Sequence, residues 1–381
     1  MKLLMTADTV GGVWTYALDM ASALQPHGVE FVLATMGDPM SPQQKRDAAA
    51  CGNVTVRESR YKLEWMENPW EDVKRSGQWL LELEQEFSPD VVHLNGYAHA
   101  QLPFRAPVVV VAHSCVLSWW RAVKGEAAPA SWDRYKAEIA AGLDAADVVV
   151  APTQAMLDTL EENYGVTLRH KRVIHNGRDG SLYRPARKEQ FVLTAGRLWD
   201  EAKNVTALQA IAPKLLWPIC VAGEEKSPDG NGQQLKNGGV LPLGKLEPCE
   251  LARWFTRADI YALPARYEPF GLSALEAALS GCALVLGDIP TLREVWGDAA
   301  LFVPPNDAGA IAAQLQAIIA DPQLRKRYAG RAMEHAQRYT LTRMADGYAG
   351  LYQQALRRRR AVEIEAAASE SLPAPAQQIG G

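Results

Sequence analysis

The feature that most constrains the fold of this chain is an alternation of short apolar runs with helical patterns. In the first half the runs are rich in valine, and they lie at residues 3–6, 31–34, 54–56, 91–94, 108–112 and 148–151. Between the first two runs, apolar residues from Val13 to Leu24 recur at the spacing of an amphipathic helix. Continuous apolar strands separated by helices are typical of a parallel sheet covered on both faces.

The same alternation begins again in the second half. There the apolar runs lie at residues 191–195, 219–222, 240–243, 260–263, 283–286 and 301–303. The polar segment 176–189, with its glycines and proline, is the predicted linker. We therefore predict an α/β fold of two doubly wound, Rossmann-like domains that face each other across a cleft. Ligands should bind in that cleft, at the carboxyl ends of the strands.

Composition narrows the class of protein. The net charge of −4 and the pI near 6.0 give no electrostatic reason to expect a nucleic-acid partner. The cysteines are scattered, and none has the spacing of a metal or redox pair. The chain starts with a strand pattern rather than a signal peptide, and no apolar run approaches the roughly 18 residues of a membrane span. These features predict a cytoplasmic protein with reduced thiols and no membrane span.

Two glutamates in the run 266–281 carry the strongest functional signal. Glu268 and Glu276 are separated by seven residues, and Phe270, Gly271 and Leu272 form a turn that opens an apolar helix after the strand at 260–263. A helix N-terminus receives anions, because its first N–H groups lack internal partners. Carboxylates repel a bare phosphate but accept hydrogen bonds from hydroxyl groups. The pattern therefore favours a ligand with both phosphate and sugar, and a solvated pair of acids is the alternative.

This pattern resembles the donor-site motif of family 4 glycosyltransferases, retaining enzymes with the GT-B fold. The similarity extends through residues 277–281 and the strand at 283–286. The resemblance implies that Glu268 contacts the transferred sugar and that Glu276 binds the ribose hydroxyls. It also implies that the backbone amides of Phe270, Gly271 and Leu272 reach sugar and diphosphate oxygens.

A second segment adds two cations at a strand end. The strand at 191–195 is followed by Gly196, Arg197 and Leu198, and Lys203 stands shortly beyond. Arginine and lysine facing a crevice can neutralise a diphosphate. Solvated surface charges are the alternative. The segment resembles the Gly-Arg-Leu…Lys element of the same family, which implies a diphosphate site.

Two further positions lie at strand ends of the first half. Gly11 and Gly12 follow the first run and precede a helix, without a full dinucleotide fingerprint. They resemble the family's glycine pair, which faces donor phosphate and acceptor. His113 ends the run at 108–112, where the family has a histidine that contacts the donor sugar, so we place it with Glu268 as a catalytic candidate. Asn95 stands where a second family histidine is frequent.

The predicted organisation has four parts. Residues 1–180 form the acceptor-side domain and residues 181–338 the donor domain. Residues 339–360 form a helix that crosses back onto the first domain, and 361–381 a disordered tail. The arginines at 357–360 complement the helix dipole, with peripheral contact to anionic lipid as the alternative. The segment 116–132, with Trp119 and Trp120 and few strand or helix signals, should lie at the cleft mouth where an acceptor enters.

The resulting hypothesis is a retaining glycosyltransferase that transfers a sugar from a nucleotide diphosphate donor to a glycan, lipid or small-molecule acceptor. Neither a metal nor another cofactor is predicted, since no Asp-x-Asp element stands at a strand end. The family implies front-face attack. The alternatives are a nucleotide-sugar epimerase of GT-B architecture and a non-catalytic nucleotide-sugar-binding protein. The sequence does not identify the base, the sugar or the acceptor.

Overall fold

The structure is a computed structural model that describes residues 1–9, 11–225 and 239–370. Its first sheet contains the strands β1 (Lys2–Asp8), β2 (Glu30–Met36), β3 (Val54–Glu58), β4 (Val91–Leu94), β5 (Val108–Val111), β6 (Val148–Ala151) and β7 (Lys171–Val173). The helices of this domain are α1 (Gly12–Leu24), α2 (Pro42–Ala50), α3 (Trp70–Phe87), α4 (Val116–Lys124), α5 (Asp133–Ala145) and α6 (Gln154–Tyr164).

The second sheet repeats the plan. Its strands are β8 (Glu189–Ala195), β9 (Ile219–Ala222), β10 (Val240–Gly244), β11 (Ala258–Leu263), β12 (Ala283–Gly287) and β13 (Leu301–Val303). Its helices are α7 (Val205–Ile211), α8 (Pro248–Arg257), α9 (Leu272–Leu279), α10 (Pro290–Trp296), α11 (Ala308–Ala320) and α12 (Pro322–Ala336). The long helix α13 (Leu341–Glu370) follows.

Both sheets are parallel and doubly wound, as predicted. The strand orders are β3-β2-β1-β4-β5-β6-β7 and β10-β9-β8-β11-β12-β13. The central strands β4, β5 and β6 are buried along their whole length. Val110 packs in one core cluster with α3, α5 and α6, whereas Val109 packs in another with α1 and α13. Alternate residues of a strand point to opposite faces, so helices cover both faces of the sheet.

The strand orders create a switch point in each sheet. The order reverses at β1 and β4 in the first sheet, and at β8 and β11 in the second. Ligands of open α/β sheets bind outside the carboxyl ends of the strands at such points. Gly11 and Asn95 follow β1 and β4, and Arg197 and Glu268 follow β8 and β11. Gly11, Arg197 and Glu268 among the predicted site residues therefore follow the strands at which this fold forms a crevice.

The segment that leaves the first domain and the segment that returns to it run side by side at a crossing between the domains. Arg178 N–H donates to the Tyr339 carbonyl at 3.1 Å, and Arg178 forms an isolated parallel bridge with Thr340. A Cβ atom on Gly177 would lie 2.3 Å from the Thr340 carbonyl oxygen. Only glycine allows this approach. The outgoing and returning chains therefore pack backbone to backbone between the two domains.

Helix α13 returns to the first domain, as predicted. Met344, Tyr348 and Tyr352 join the first-domain core that contains α1. The Tyr352 hydroxyl donates to Nδ1 of the buried His93 at 2.7 Å. This contact ties the last described helix to the carboxyl-end region of β4.

Two predictions need correction. The disordered tail predicted for 361–381 is wrong over 361–370, because α13 continues to Glu370, and 371–381 lie outside the described residues. The alanines and glutamates of that stretch are good helix formers, and this explains the error. The segment 116–132 is not a simple loop, because α4 occupies its first part. Cys115 Sγ caps that helix by accepting from Ser118 N–H, and Gly125 ends it with φ 74°.

We predict that Gly177→Ala destabilises the protein by about 1–3 kcal/mol, the usual range for overpacking. The new Cβ meets backbone of Thr340 rather than a side chain that could move aside. Gly350→Ala is the control, because that exposed position in α13 has open space around it. Alanine there should be neutral or stabilising. Urea unfolding midpoints provide the measurement, and equal midpoints for Gly177→Ala and wild type would contradict the close crossing.

Candidate active site

The Glu268 carboxylate caps the helix that was predicted to bind a ligand. Gly271 has φ 88°, a region that favours glycine, and it precedes α9. Its N–H donates to Glu268 Oε1 at 3.0 Å, and Phe270 N–H lies farther away at 3.5 Å. The Thr291 hydroxyl donates to the Glu268 backbone carbonyl at 2.6 Å and fixes the loop from behind. The acid is therefore in direct contact with the turn that opens α9.

Lys203 completes the environment of this carboxylate. Its Nζ lies 2.6 Å from Glu268 Oε2, and each side chain is 13% exposed. The neighbouring Asn204 holds the surrounding loops, because its amide donates to the carbonyls of Pro264 and Pro305. A pair this buried is sensitive to loss of either partner, which would leave an unpaired charge. The structure thus joins the predicted diphosphate cation to the predicted sugar-contacting acid.

Arg197 faces the first domain across the cleft. A Cβ on Gly11 would lie 3.8 Å from Arg197 Nη1, and Gly11 has φ 91°. The positive φ is what favours glycine here, since a Cβ at 3.8 Å would only touch the guanidinium. Arg197 is 42% exposed and pairs with the buried Asp200 at 3.1 Å. Gly12 begins α1 and is exposed, with open space where a side chain would stand.

Glu276 points into a buried ion cluster rather than into open solvent. It lies on α9, the helix that Leu272 begins, and its side chain is 7% exposed. Arg178 donates to Glu276 Oε1 through Nε at 2.7 Å and through Nη2, and it also contacts Asp19 on α1. The second predicted acid is therefore held by a cation from the crossing.

His113 belongs to a polar network at the carboxyl ends of β4 and β5. Asn95 Nδ2 donates to the Thr6 carbonyl at 2.6 Å, so Asn95 Oδ1 must act as an acceptor. It accepts from Nε2 of His113 at 2.7 Å and from Nε2 of His93 at 3.1 Å. Both imidazoles therefore carry their proton on Nε2. His113 Nδ1 is left as an acceptor that suits a ligand hydroxyl.

Burial keeps both imidazoles neutral. It lowers the pKa of His113 to about 4 and the pKa of His93 to about 3. The ring of Tyr16 packs edge-on against His113, with 4.5 Å between the ring centroids. A neutral histidine at this place can accept or donate hydrogen bonds but brings no positive charge at neutral pH.

The cleft is closed on one side by contacts between the domains. Trp119 Nε1 donates to Asp200 Oδ1 at 2.9 Å, and Lys124 Nζ donates to Glu201 at 2.8 Å. Cys115 N–H donates to the Tyr267 hydroxyl at 3.0 Å. Trp119 therefore takes part in a contact between the two domains.

The loops after β8, β9 and β10 approach each other very closely. A Cβ on Gly223 would lie 1.8 Å from the Gly196 carbonyl oxygen, and Gly223 N–H donates to the Gly244 carbonyl at 2.8 Å. Leu198 N–H donates to the Glu224 carbonyl at 2.9 Å. These contacts hold the Gly196 turn, and with it the position of Arg197.

Sequence reasoning missed the side chains that hold the predicted ones. Arg178 lies in the segment predicted as the linker, and Asp19 lies within the apolar pattern of α1. A charged residue directly after Gly177 was the available signal for Arg178. For Asp19 the signal was a single acid near the apolar stripe, which is too common to identify a site.

A small cavity of about 40 Å³ lies at the carboxyl edge of the first sheet, lined in part by Asp8, Glu64 and Asn95. The Glu64 carboxylate accepts from the N–H groups of Tyr97 at 3.1 Å and Ala98 at 2.8 Å. Burial raises the pKa of Glu64 to about 7, although these amides favour the charged form. A carboxyl group that titrates near neutrality therefore borders the first-domain side of the cleft.

We predict that Glu64→Gln makes stability less dependent on pH. The folded state holds the Glu64 proton up to a pKa of about 7, whereas the unfolded chain releases it near 4.5. Stability is therefore lost as the pH rises between these values, by roughly 3 kcal/mol in total. Urea midpoints at pH 5 and pH 8 should differ less in Glu64→Gln than in wild type. Glu82→Gln, on the exposed face of α3, should keep the wild-type difference.

Two features are absent from the part of the chain that the structure describes. Within residues 1–9, 11–225 and 239–370, no group of three or more histidine, cysteine or acidic side chains is arranged to hold a metal ion. Over the same described residues, no helix is long and apolar enough to span a bilayer.

Comparison with known proteins follows the division into two sheets. The sequence profile described as Glycosyltransferase Family 4 matches residues 10–181, and the profile described as Glycosyl transferases group 1 matches residues 183–335. Glycogen synthase of Mycobacterium tuberculosis is 32% identical over 204 residues, covering 49% of each chain. Phosphatidyl-myo-inositol mannosyltransferase of Mycolicibacterium smegmatis is 35% identical over 162 residues, covering 40% of this chain and 42% of that protein. The matches thus span about half the length of these relatives or less.

Solved structures share the whole architecture. Sucrose-phosphate synthase from Thermosynechococcus elongatus superimposes with a TM-score of 0.79 at 18% identity, covering 93% of this chain and 98% of that one. Anabaena Alr3699/HepE, solved in complex with UDP and glucose, gives 0.72 at 17% identity, covering 93% and 100%. At these identities the likeness establishes the fold alone. With both profiles matched in order along the two sheets, the chain belongs to the family 4 glycosyltransferases of the GT-B fold.

Proposed function

We propose that this protein is a retaining glycosyltransferase that transfers a hexose from a nucleotide diphosphate sugar to an acceptor hydroxyl. One observation carries the proposal: Lys203 pairs with Glu268 beside the turn that opens α9, and Arg197 of the same sheet lies next to Gly11 of the first domain. The arrangement offers cations and amides for a diphosphate and a carboxylate for a sugar. We keep the division into an acceptor-side domain at 1–180, a donor domain at 181–338 and a crossing helix from 339 as part of this proposal.

The donor binds mainly to the second domain in this proposal. Arg197, Lys203 and the amides at Phe270–Leu272 receive the diphosphate, since they are the donors at the switch point of that sheet. Glu268 contacts the sugar, and Glu276 the ribose. The UDP and glucose bound to the structural neighbour support a nucleotide-sugar donor here. Base and sugar remain to be assigned by measurement.

The proposed reaction exchanges one bond at the anomeric carbon. The bond from that carbon to the β-phosphate oxygen breaks, and the bond to the acceptor oxygen forms on the same face. The acceptor proton passes to a donor phosphate oxygen. Lys203 and Arg197 stabilise the negative charge on the leaving diphosphate, and Glu268 stabilises the positive charge near the anomeric carbon. Because fixed cations and amides can supply this stabilisation, we propose that no divalent metal is required.

The acceptor enters from the first-domain side. The neutral His113 can accept a hydrogen bond from a sugar hydroxyl at Nδ1, and the cavity beside Asp8, Glu64 and Asn95 offers further acceptors for hydroxyl groups. The named relatives act on glycogen and on phosphatidyl-myo-inositol. A polyhydroxyl acceptor, as a glycan, a lipid headgroup or a small molecule, is therefore the proposed class. Cytoplasmic location and peripheral membrane contact at the arginines of 357–360 belong to the proposal as well.

The two rival functions predict different products. An epimerase would interconvert the donor without acceptor, and it needs a group that abstracts a proton beside the anomeric carbon. A binding protein would hold the donor without turnover. A thermal-shift panel of UDP, GDP, ADP and their sugars should identify the donor, since a ligand at 100-fold its dissociation constant adds about 2.7 kcal/mol of stability. Acceptor-dependent release of the matching nucleotide diphosphate then supports transfer, and its absence with every acceptor class counts against it.

We predict that Arg197→Ala and Lys203→Ala each weaken nucleotide diphosphate binding and reduce turnover by a factor on the order of 10²–10³. Lys203→Ala should also lower stability, because it leaves the buried Glu268 without its cation. Arg257→Ala is the matched control, since that arginine pairs with the exposed Glu189 outside the cleft. Calorimetric titration with the diphosphate chosen by the panel is the measurement. Wild-type affinity in both cleft variants would remove the diphosphate assignment.

We predict that Glu268→Gln lowers kcat more than it raises KM. Glutamine keeps the size and can still accept from Gly271 N–H, but it loses the charge that favours the transition state. Glu276→Ala should mainly raise the donor KM, because a ribose contact is the same in ground and transition states. Steady-state kinetics on both variants separate the two roles. A wild-type kcat in Glu268→Gln would reduce that residue to a helix cap.

A further inference from the structure

Glu276 shares a buried ion cluster with two residues that no motif predicted. Arg178 uses Nε and Nη2 on the same oxygen, Glu276 Oε1, and uses Nη1 on Asp19 Oδ2. The side chains of Asp19, Arg178 and Glu276 are 25%, 14% and 7% exposed. One cation thus bridges two carboxylates that come from different domains.

The geometry leaves part of the Glu276 carboxylate for a ligand. Both guanidinium hydrogen bonds end on Oε1, so Oε2 is not used by Arg178. The Tyr183 side chain hydrogen-bonds to the same carboxylate, and burial and then the charge of Glu276 raise the pKa of Tyr183. A carboxylate accepts several hydrogen bonds. Vicinal hydroxyls can therefore bind the carboxylate at Oε2 while Arg178 holds Oε1 in place.

Arg178 brings one positive charge and the carboxylates of Asp19 and Glu276 bring two negative charges, so the ion cluster has one negative charge in excess. Burial and these charges together shift the pKa values of Asp19 and Arg178. Burial raises the pKa of Asp19, although Arg178 opposes this change. Burial alone would lower the pKa of Arg178, but the charges of Glu276 and Asp19 raise it above its ordinary value. Arg178 therefore stays charged. Without it, two carboxylates would face each other in a buried place.

Arg178 is held by its backbone as well as by its side chain. Its N–H donates to the Tyr339 carbonyl at 3.1 Å, and the preceding Gly177 N–H contacts Met344 Sδ at 3.3 Å. Asp19 lies on α1, the helix that begins at Gly12 beside the cleft. The guanidinium is thus fixed at the crossing between the domains. There the outgoing segment at Arg178 and the returning segment at Tyr339 run side by side, and Arg178 links α1 to α9.

We propose that Arg178 is a positioning residue that sets the Glu276 carboxylate for recognition of the donor ribose. The inference rests on the proposed function, since it concerns the ribose role of Glu276. Arg178 acts through Glu276 and touches no substrate. Its removal should therefore abolish discrimination at the ribose hydroxyls without altering the chemistry at the sugar.

The test compares the affinities of UDP and 2′-deoxy-UDP, measured by calorimetry. Where the ligand panel selects guanine or adenine, GDP or ADP and its 2′-deoxy form are used instead. The measured quantity is the ratio of the two dissociation constants. A hydrogen bond to a charged group predicts a wild-type ratio on the order of 10 or more. We expect Glu276→Gln and Arg178→Met to bring the ratio to within about twofold of 1, with donor KM raised and kcat nearly unchanged. The double variant should show no further loss, because both changes remove one interaction.

Two variants separate positioning from general stabilisation. Arg325→Met removes another buried arginine, paired with Asp259 at 2.9 Å inside the second domain. It should lower the urea midpoint but keep the wild-type ratio. Arg178→Lys keeps the charge without the two-donor geometry, so an intermediate ratio is expected. Arg178→Lys also serves as the test where Arg178→Met fails to fold.

The outcomes are distinguishable. If the ratio of dissociation constants falls to about 1 in Glu276→Gln but keeps its wild-type value in both Arg178 variants, this inference is overturned and the proposed function is left intact. A ratio near 1 in wild type contradicts the ribose role of Glu276, and the inference with it. The Arg197 and Lys203 variants then still report on the diphosphate site. A collapsed ratio in Arg178→Met together with a wild-type ratio in Glu276→Gln also overturns the inference, since Arg178 would not act through Glu276.

Discussion

The arrangement of the site depends on the backbone crossing between the two domains. Parallel sheets bring loops to their carboxyl edges, but they do not determine how two such edges face each other. Here Gly177 passes so close to Thr340 that a Cβ would lie 2.3 Å from its carbonyl oxygen. From this crossing, α13 runs back over the first domain, where Tyr352 binds His93. His93 in turn shares Asn95 with His113, so the crossing and the cleft are connected by a continuous set of contacts.

Ion pairs that are at least partly buried then set the chemistry of each loop. Lys203 holds Glu268, Arg178 holds Glu276 and Asp19, and Arg197 holds Asp200. Such pairs add little net stability over apolar packing, because desolvation offsets most of their attraction. Breaking one is costly, however, because a lone charge remains buried. The pairs therefore specify where each side chain lies more than they stabilise the fold.

The sequence predicted the two sheets well, because most of their strands contain a continuous apolar run and lack competing patterns. The sequence also predicted that Arg197, Glu268 and His113 follow the ends of strands, and in the structure they follow β8, β11 and β5. It missed β7, since Lys171–Val173 is a short, partly polar edge strand, and α4, whose cap is a cysteine. The extent of α13 was misjudged because alanine and glutamate occur in helices and in disordered tails alike.

The ion pairs were beyond sequence reasoning for a different reason. Arg178 is 98 positions from Glu276 and 159 from Asp19, and only the folded crossing brings them together. No spacing rule connects residues on three separate elements. The network of Asn95 with both histidines was missed in a similar way, although Asn95 itself had been noted as a departure from the family pattern. Partners of site residues are set by tertiary geometry, whereas the site residues themselves follow strand ends.

The pairing of Glu268 with Gly271 N–H and with Lys203 affects how a donor can bind. The Glu268 carboxylate accepts hydrogen bonds from Gly271 N–H and Lys203 Nζ, the same donors that a diphosphate sugar would use. Both donors therefore have a partner before a ligand binds. Under the proposed function, an incoming diphosphate competes with Glu268 for these donors. Lys203 has three N–H donors and can hold both anions at once, whereas Gly271 has a single N–H. Glu268 must therefore release the amide or share it with the diphosphate as the donor enters.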